Sequence, residues 1–242
     1  MAKKEIITKA EELVEKAMSG NDASHDVSHA FRVRDLTLSL AHEEGLSSSS
    51  DSMLIVELAA LLHDIGDYKY IRLDSTDFMI RRISLLPTFS WDPSEARIVE
   101  EFLQGQGIEE GMKKKILDII KGMGFKEEVG GLTNRNYSIE YGVVQDADRL
   151  DAIGAIGIAR CFTFGGSRHR ILHDPRVQPR SELSKENYMN KEEQTTVNHF
   201  HEKLLKLKDL MKTKAGKKRA EKRHKFMEDF LEEFYEEWDG RA

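Results

Sequence analysis

The sequence has little of what several classes of protein require. It contains one cysteine, Cys161, among 242 residues, which excludes an internal disulfide and favours a reducing compartment such as the cytoplasm. It has four prolines and no apolar run of the roughly 20 residues that a membrane span needs. Its first residues lack the apolar segment of a signal peptide. Its formal net charge is −6, so there is no general basic surface for nucleic acid. We therefore expect neither a membrane nor a nucleic-acid partner.

What the sequence does contain favours helices. Hydrophobic residues make up 39% and charged residues 33%, leucine, isoleucine and valine recur at helical spacing, and strand-like alternation is nearly absent. We predict an all-α fold, with residues 1–185 as the core and residues 186–242 as a C-terminal helical extension of the same domain. One predicted helix begins at His29, and another follows an N-cap at Asp51 and carries His63 and Asp64. The other predicted helices lie at about 4–18, 74–86, 94–103, 109–121, 138–151, 152–162, 190–213 and 220–238. The segment 126–136 is a predicted loop and candidate lid, and 214–219 a predicted basic connector.

One stretch, residues 58–67, is apolar and ends in the adjacent pair His63 and Asp64. Helical periodicity places its leucines on one buried stripe, so the pair arrives at the end of a core helix. Burial of these polar groups costs free energy unless a partner satisfies them. A divalent cation such as manganese, iron, nickel or zinc would suit imidazole and carboxylate ligands. Capping of the helix end is the alternative interpretation.

Two further segments carry histidine or aspartate at helical spacing. Residues 24–33 contain His25 and His29, four positions apart, and residues 143–152 contain Asp146, Asp148 and Asp151. Three carboxylates cannot all face a core unless a cation compensates them. At 100° per residue, Asp148 and Asp151 share one side of a helix, whereas Asp146 lies about 160° from Asp148. The spacing therefore separates their roles.

Taken together, these segments resemble the HD-domain metal-dependent phosphohydrolases. The signature of that family is a histidine, an adjacent His-Asp pair and a distant aspartate on converging helices, and His29, His63, Asp64 and Asp148 match it in order. The resemblance extends to small bacterial HD proteins through SHDxxHxxRV, ALLHDIGDxK and QDADRLDAIGAIGIARxF, and it covers most of the chain. It implies a single HD-domain helical bundle with C-terminal helices packed on it.

The resemblance also implies roles for particular residues. His29, His63, Asp64 and Asp148 would bind one divalent transition metal, manganese first, with iron, nickel or zinc as alternatives. Asp67, four residues after His63, would activate the attacking water, although a turn aspartate is an equal interpretation. Asp151 is the candidate to accept a hydrogen bond from one of the metal ligands. Asp146 is a candidate partner for Arg149 or for an active-site cation.

Several cations or histidines are candidate contacts for substrate phosphate. Lys69 and Arg72 follow the His-Asp motif closely, but a solvated basic turn explains them equally well. Arg168 follows two glycines, which is typical of some anion sites. His25 either contacts phosphate or supports a metal ligand, or it caps a local turn. The set is Lys69, Arg72, His25, Arg168, His199 and Lys203.

The reaction implied by the resemblance is hydrolysis of a phosphoester or phosphoanhydride bond in a nucleotide. Members of the subgroup are associated with nucleoside triphosphate pyrophosphohydrolysis with manganese. The sequence has no Walker motif, GxGxxG fingerprint or GxSxG elbow, which removes the commonest rival chemistries. The alternatives are a non-catalytic nucleotide or metal sensor and a purely structural helical protein. The expected partner is a small-molecule nucleotide, and a homodimer is a further hypothesis.

Overall fold

The computed structural model describes residues 3–65, 93–124, 137–180 and 195–242. Within these ranges the chain forms nine α-helices and two 3-10 helices and no strand, which confirms the all-α prediction. The α-helices are α1 Lys3–Ala17, α2 Val27–Glu43, α3 Ser50–Leu62, α4 Pro93–Gly105, α5 Glu110–Gly122, α6 Ile139–Asp151, α7 Gly154–Ser167, α8 Asn198–Glu202 and α9 Lys214–Trp238. The 3-10 helices are Leu46–Ser48 and Leu204–Leu210. The predicted helix at 74–86 and the candidate lid at 126–136 lie outside the described residues.

Helix α3 is the centre of the bundle because it is apolar on nearly every side. Leu54–Val56 and Leu58–Leu62 are all buried, and a helix that is apolar all round must be enclosed by others. Helices α1, α2, α5 and α6 pack against it. Helix α2 also packs on α6, so α2, α6 and the C-terminal end of α3 meet. This meeting brings the three motif segments together.

Short polar side chains fix where the first helices begin. Asp26 precedes α2, and its carboxylate accepts a hydrogen bond from the backbone N–H of His29 at 3.0 Å. Before α3 the cap is Ser49, whose Oγ accepts from the N–H of Ser52 at 3.2 Å. The predicted cap at Asp51 is therefore wrong. The Asp51 carboxylate instead accepts from the Lys3 Nζ at 2.9 Å and ties the start of α1 to the start of α3.

The C-terminal part differs from its prediction in two places. The helix predicted over 190–213 is short where the structure describes it, since α8 ends at Glu202 and the Leu204–Leu210 3-10 helix follows. Lys203 breaks the α-helix with φ −135° and ψ −59°. The predicted basic connector at 214–219 instead forms the first turns of α9, with Thr213 as the N-cap.

Asp146 anchors this C-terminal part to α6. Its buried carboxylate accepts hydrogen bonds from the backbone N–H of Lys212 at 2.9 Å and from the N–H and hydroxyl of Thr213 at 2.8 and 2.7 Å. The predicted active-site cation is therefore not its partner. Burial raises the pKa of the Asp146 carboxyl, and the charge of Arg149, the other predicted partner, opposes that rise. Gly216 permits this contact, because a Cβ there would lie 2.2 Å from the Asp146 Oδ2. The guanidinium of Arg149 donates to the Leu210 carbonyl at 2.7 Å and adds a second link.

None of the helices in the described ranges combines the length and apolar character that crossing a bilayer demands. The division of the chain at residue 185 stays a prediction, because the residues around it lie outside the described ranges.

Two glycines of α7 provide a matched test of the packing. A Cβ on Gly157 would lie 2.2 Å from the carbonyl oxygen of Ala152, whereas a Cβ on Gly166 would meet nothing within 4 Å. We expect Gly157→Ala to lower the free energy of unfolding by about 1–3 kcal/mol, because backbone must shift. Gly166→Ala should leave it unchanged or raise it by up to about 1 kcal/mol. Urea unfolding measures both, and equal stabilities of the two variants would contradict the packing described.

Candidate metal centre

Four side chains from three helices converge at one point. His29 comes from the first turn of α2, His63 and Asp64 from the end of α3, and Asp148 from α6. The Nε2 of His29 lies 3.2 Å from an Asp64 oxygen and 3.6 Å from the Asp148 Oδ1. The Nε2 of His63 lies 3.4 Å from the other Asp64 oxygen and 3.7 Å from the same Asp148 atom. These are the four residues that match the family signature.

The Nδ1 atom of each histidine, its inner nitrogen, is hydrogen-bonded to a group that can only accept a hydrogen bond. The Nδ1 of His29 lies 2.8 Å from the Asp151 Oδ2, and the Nδ1 of His63 lies 2.8 Å from the Ala60 carbonyl oxygen. Both Nδ1 atoms therefore carry the hydrogen, and in a neutral ring each Nε2 presents a lone pair. Both rings thus turn their ligating atom toward the two carboxylates.

This arrangement fits a divalent metal. The Nε2 atoms of His29 and His63 are buried and, within the part of the chain that is described, make no hydrogen bond. Orphaned buried polar atoms are rare in folded proteins and need a partner. Ligand atoms of His29, His63 and Asp64 all lie within 4.8 Å of one another, and Asp148 extends the group. Two imidazole nitrogens and two carboxylates suit manganese, iron, nickel or zinc.

The site opens on its carboxylate side. The side chains of His29 and His63 are 0% and 2% exposed, whereas those of Asp64 and Asp148 are 19% and 30% exposed. A solvent molecule or a ligand can therefore approach the point between the four side chains from the carboxylate side. The buried imidazoles form its floor.

Asp151 holds His29 in place and is itself held by two arginines. Besides the His29 ring, its carboxylate accepts from Arg32 Nε and Nη2 at 2.8 and 3.0 Å and from Arg160 Nη1 at 2.9 Å. Burial alone would raise the pKa of Asp151, but the hydrogen bonds from His29 and Arg32 and the charge of Arg160 lower it to about 2. Asp151 is thus an ionised acceptor that fixes the orientation of a metal-facing ring.

The carboxylates also change the pKa of His63. Burial disfavours the charged imidazolium, but Asp64 and Asp148 outweigh this effect and raise the pKa of His63 to about 9. Burial likewise opposes ionisation of Asp64 and Asp148, whereas the neighbouring histidines hold both of their pKa values below the ordinary range. Without a cation, a proton on His63 compensates the two carboxylates. A divalent ion would take the place of that proton.

Of the predicted phosphate contacts, His25 lies beside the metal-facing histidines. Its ring is edge-on to His29, with centroids 5.7 Å apart, and edge-on to Phe164 at 5.9 Å. Its Nδ1 lies 2.8 Å from the Ser24 Oγ, and the Ser24 hydroxyl also contacts the Asp22 carboxylate. Because a carboxylate can only accept, that hydroxyl donates to Asp22 and its oxygen accepts from His25. His25 is therefore fixed at the side of the site.

Arg168 reaches the same place through Phe164. The guanidinium carbon of Arg168 lies 5.4 Å from the Phe164 ring centroid, and that of Arg170 lies 5.3 Å from it. Since His25 packs on the same ring, two arginines and a histidine surround one aromatic side chain next to the candidate metal centre. Both guanidinium groups are held by cation–π contacts.

The remaining predicted site residues fall into two groups. Asp67, Lys69 and Arg72 lie outside the described residues. His199 and Lys203 are half-buried on successive turns, since the Lys203 N–H donates to the His199 carbonyl at 3.0 Å. No described contact joins either of them to His29, His63, Asp64 or Asp148, so their role stays a prediction.

Sequence reasoning did not assign Arg32, Arg160 or Phe164 to the site. Arg32 is three residues after His29 on a predicted helix, and residues at this spacing lie on the same side of a helix. The sequence could therefore have placed Arg32 next to His29. Arg160 binds both Asp151 and the Ser24 carbonyl, at 2.9 and 2.5 Å, and so ties the support of His29 to the turn that carries His25. No local pattern indicates contacts over this sequence distance.

The sequence profile of the HD domain matches residues 26–153, which include all four converging residues. This chain belongs to the HD-domain family. An uncharacterised protein of Bacillus subtilis, YpgQ, is 33% identical over 208 residues, which are 86% of this chain and 82% of YpgQ.

Solved structures resemble this HD protein over nearly the whole chain. A protein of Lactobacillus plantarum matches with a TM-score of 0.79 and 30% identity, covering 99% of this chain and 100% of the other. An HD-superfamily hydrolase of Bacillus thuringiensis matches with a TM-score of 0.68 and 36% identity, covering 98% and 99%. The structure of YpgQ in complex with ADP matches with a TM-score of 0.66 and 29% identity, covering 98% and 97%. The family and the site together support a metal-dependent hydrolase.

The affinity for a metal ion should increase with pH, because the pKa of His63 is raised. Below about pH 9 the metal-free site holds a proton on His63, and a metal ion must displace it. We therefore expect the affinity for Mn²⁺ to rise from about pH 6 to about pH 8, by up to tenfold per unit, with release of a proton. Calorimetric titration in buffers of different ionisation enthalpy measures both. An affinity that stays constant over this range would contradict the assignment.

Proposed function

We propose that this HD protein is a metal-dependent phosphohydrolase that cleaves a phosphoester or phosphoanhydride bond of a nucleotide. The observation that carries the proposal is the convergence of two buried Nε2 atoms with the carboxylates of Asp64 and Asp148, because neither nitrogen makes a hydrogen bond within the described residues. A divalent ion bound to these ligands would supply Lewis acidity, which would stabilise negative charge on a phosphoryl group and lower the pKa of a water molecule.

The protein side chains have distinct tasks in this proposal. His29, His63, Asp64 and Asp148 would hold the ion, and Asp151 keeps His29 in the orientation that presents Nε2. The Ala60 carbonyl does the same for His63. Since these inner contacts are already made, the ligands need little rearrangement when the ion binds.

The residues around Phe164 favour a substrate that carries phosphate groups. Arg168 and Arg170 pack on this ring, and His25 connects the ring to His29. Guanidinium groups bind phosphate oxygens through paired N–H donors. Arg168 and Arg170, which form a rim beside the metal centre, would therefore neutralise phosphate groups beyond the one that reacts. A substrate with more than one phosphate would use both the metal centre and the rim.

The comparison with YpgQ supports a nucleotide. YpgQ binds ADP in its solved structure and is similar to this chain throughout its length. Manganese is the metal we propose, as the resemblance to the small bacterial HD proteins implies. Asp67 as the residue that activates water, and Lys69, Arg72, His199 and Lys203 as further phosphate contacts, are also part of the proposal. The cytoplasm is the proposed location.

The test is hydrolysis of nucleotides by manganese-loaded protein. Purified protein is incubated with nucleoside mono-, di- and triphosphates, guanosine tetraphosphate and cyclic nucleotides, and released phosphate and pyrophosphate are measured. We expect turnover of at least one of them. Asp148→Asn should lower kcat about 100-fold or more, because loss of a ligand removes several kcal/mol of charge stabilisation.

Asp118→Asn is the matched control, since Asp118 is exposed on α5 and no described contact joins it to the four ligands. Its kcat should equal that of the wild type. Tight nucleotide binding without any turnover would favour a sensor instead of an enzyme. Absence of both binding and turnover across the panel would contradict the proposed function.

A further inference from the structure

The last helix, α9, is divided into two halves of opposite charge. Residues 214–225 contain seven lysines and arginines and one glutamate, whereas residues 226–238 contain six acidic residues and no lysine or arginine. Among the exposed members are Lys218, Lys222 and Lys225 in the first half and Glu232, Glu233 and Glu236 in the second. The two halves are equal and opposite in formal charge, at +6 and −6.

This distribution opposes the dipole of the helix itself. A helix has a partial positive charge at its N-terminus and a partial negative charge at its C-terminus, so basic residues at the start and acidic residues at the end are each unfavourable. Within α9 the charges compensate one another at the boundary, where Lys225 pairs with Asp229 at 2.7 Å. Towards the two ends, a second helix running in the opposite direction would compensate both the side chains and the dipole.

The middle of α9 carries an exposed aromatic residue. Phe226 is the thirteenth of the 25 residues of α9, and it is 51% exposed. Another face of the helix, which contains Ala220, Met227 and Leu231, is buried in its own chain and lies about 100–140° round the helix from Phe226. A large apolar side chain therefore stands on the outer part of α9, where the charge changes sign.

We infer that α9 pairs with α9 of a second copy of this chain, antiparallel, around a two-fold axis at Phe226. An axis at this residue brings the two Phe226 rings together and places each basic half against an acidic half. Lys222 then faces position 230 of the second copy, between its Asp229 and Glu233. The contact is isologous, as in most homodimers, and the paired helices are each about 37 Å long.

Disulfide formation tests the position of the axis. In Phe226→Cys the two thiols lie across the axis and should link under mild oxidation. Glu233→Cys is the control, because residue 233 lies two turns further along the same stripe and its two copies would be about 21 Å apart. A disulfide needs Cα atoms within about 7 Å. Wild-type protein controls for the native Cys161.

Charge reversal tests the pairing without a cysteine. Lys222→Glu should weaken the dimer about tenfold, because two symmetry-related attractions become repulsions. Combining Lys222→Glu with Glu233→Lys in the same chain should restore it, since these residues are three turns apart within α9 and meet only between copies. Sedimentation velocity gives the mass, which should be twice the 27.7 kDa of one chain.

Three outcomes would overturn the inference. They are a monomeric wild type at every concentration, Phe226→Cys linking no faster than Glu233→Cys, and a double variant that is no more dimeric than Lys222→Glu. Because mass and linkage are measured without nucleotide, these results are independent of the proposed enzymatic function.

Discussion

The structure depends on one constraint, the fixation of two buried imidazole rings by their inner nitrogens. His29 is bound to Asp151, and His63 to the carbonyl of Ala60. Each partner can only accept a hydrogen bond, so the hydrogen-bearing atom is settled for both rings. The outer nitrogens then face two carboxylates inside a bundle that offers them no described hydrogen bond. The chemistry proposed for this protein follows from that pair of orientations.

Helix α6 shows how one short segment serves three purposes by its angular spacing. Asp148 faces the candidate metal centre, and Asp151, one turn later on the same side, supports His29. Asp146 points the other way and binds the backbone of Lys212 and Thr213. Helix α6, which carries the candidate ligand Asp148, is therefore held on one side by α2 and on the other by the C-terminal segment. Side chains that hold the fold and side chains that hold the site alternate along it.

The sequence was sufficient where function requires residue types at local spacing. The His-Asp pair at the end of an apolar helix, and the separation of Asp146 from Asp148 by about 160°, both led to the arrangement observed. Local patterns failed where a choice depends on distant neighbours. Ser49 and Asp51 are both good caps, and Lys3, nearly fifty residues away, engages Asp51. The partner of Asp146 is likewise more than sixty residues away, so no periodicity could reveal it.

The most direct measurement of the central claim is the metal content of the purified protein. Elemental analysis of wild type after manganese loading and desalting should give about one ion per chain. His63→Ala, treated in parallel, should retain little, because one of two imidazole ligands is lost. His42→Ala, which removes an exposed histidine of α2, should keep the wild-type content. Equal metal content in wild type and His63→Ala, or none in either, would contradict the assignment of this site.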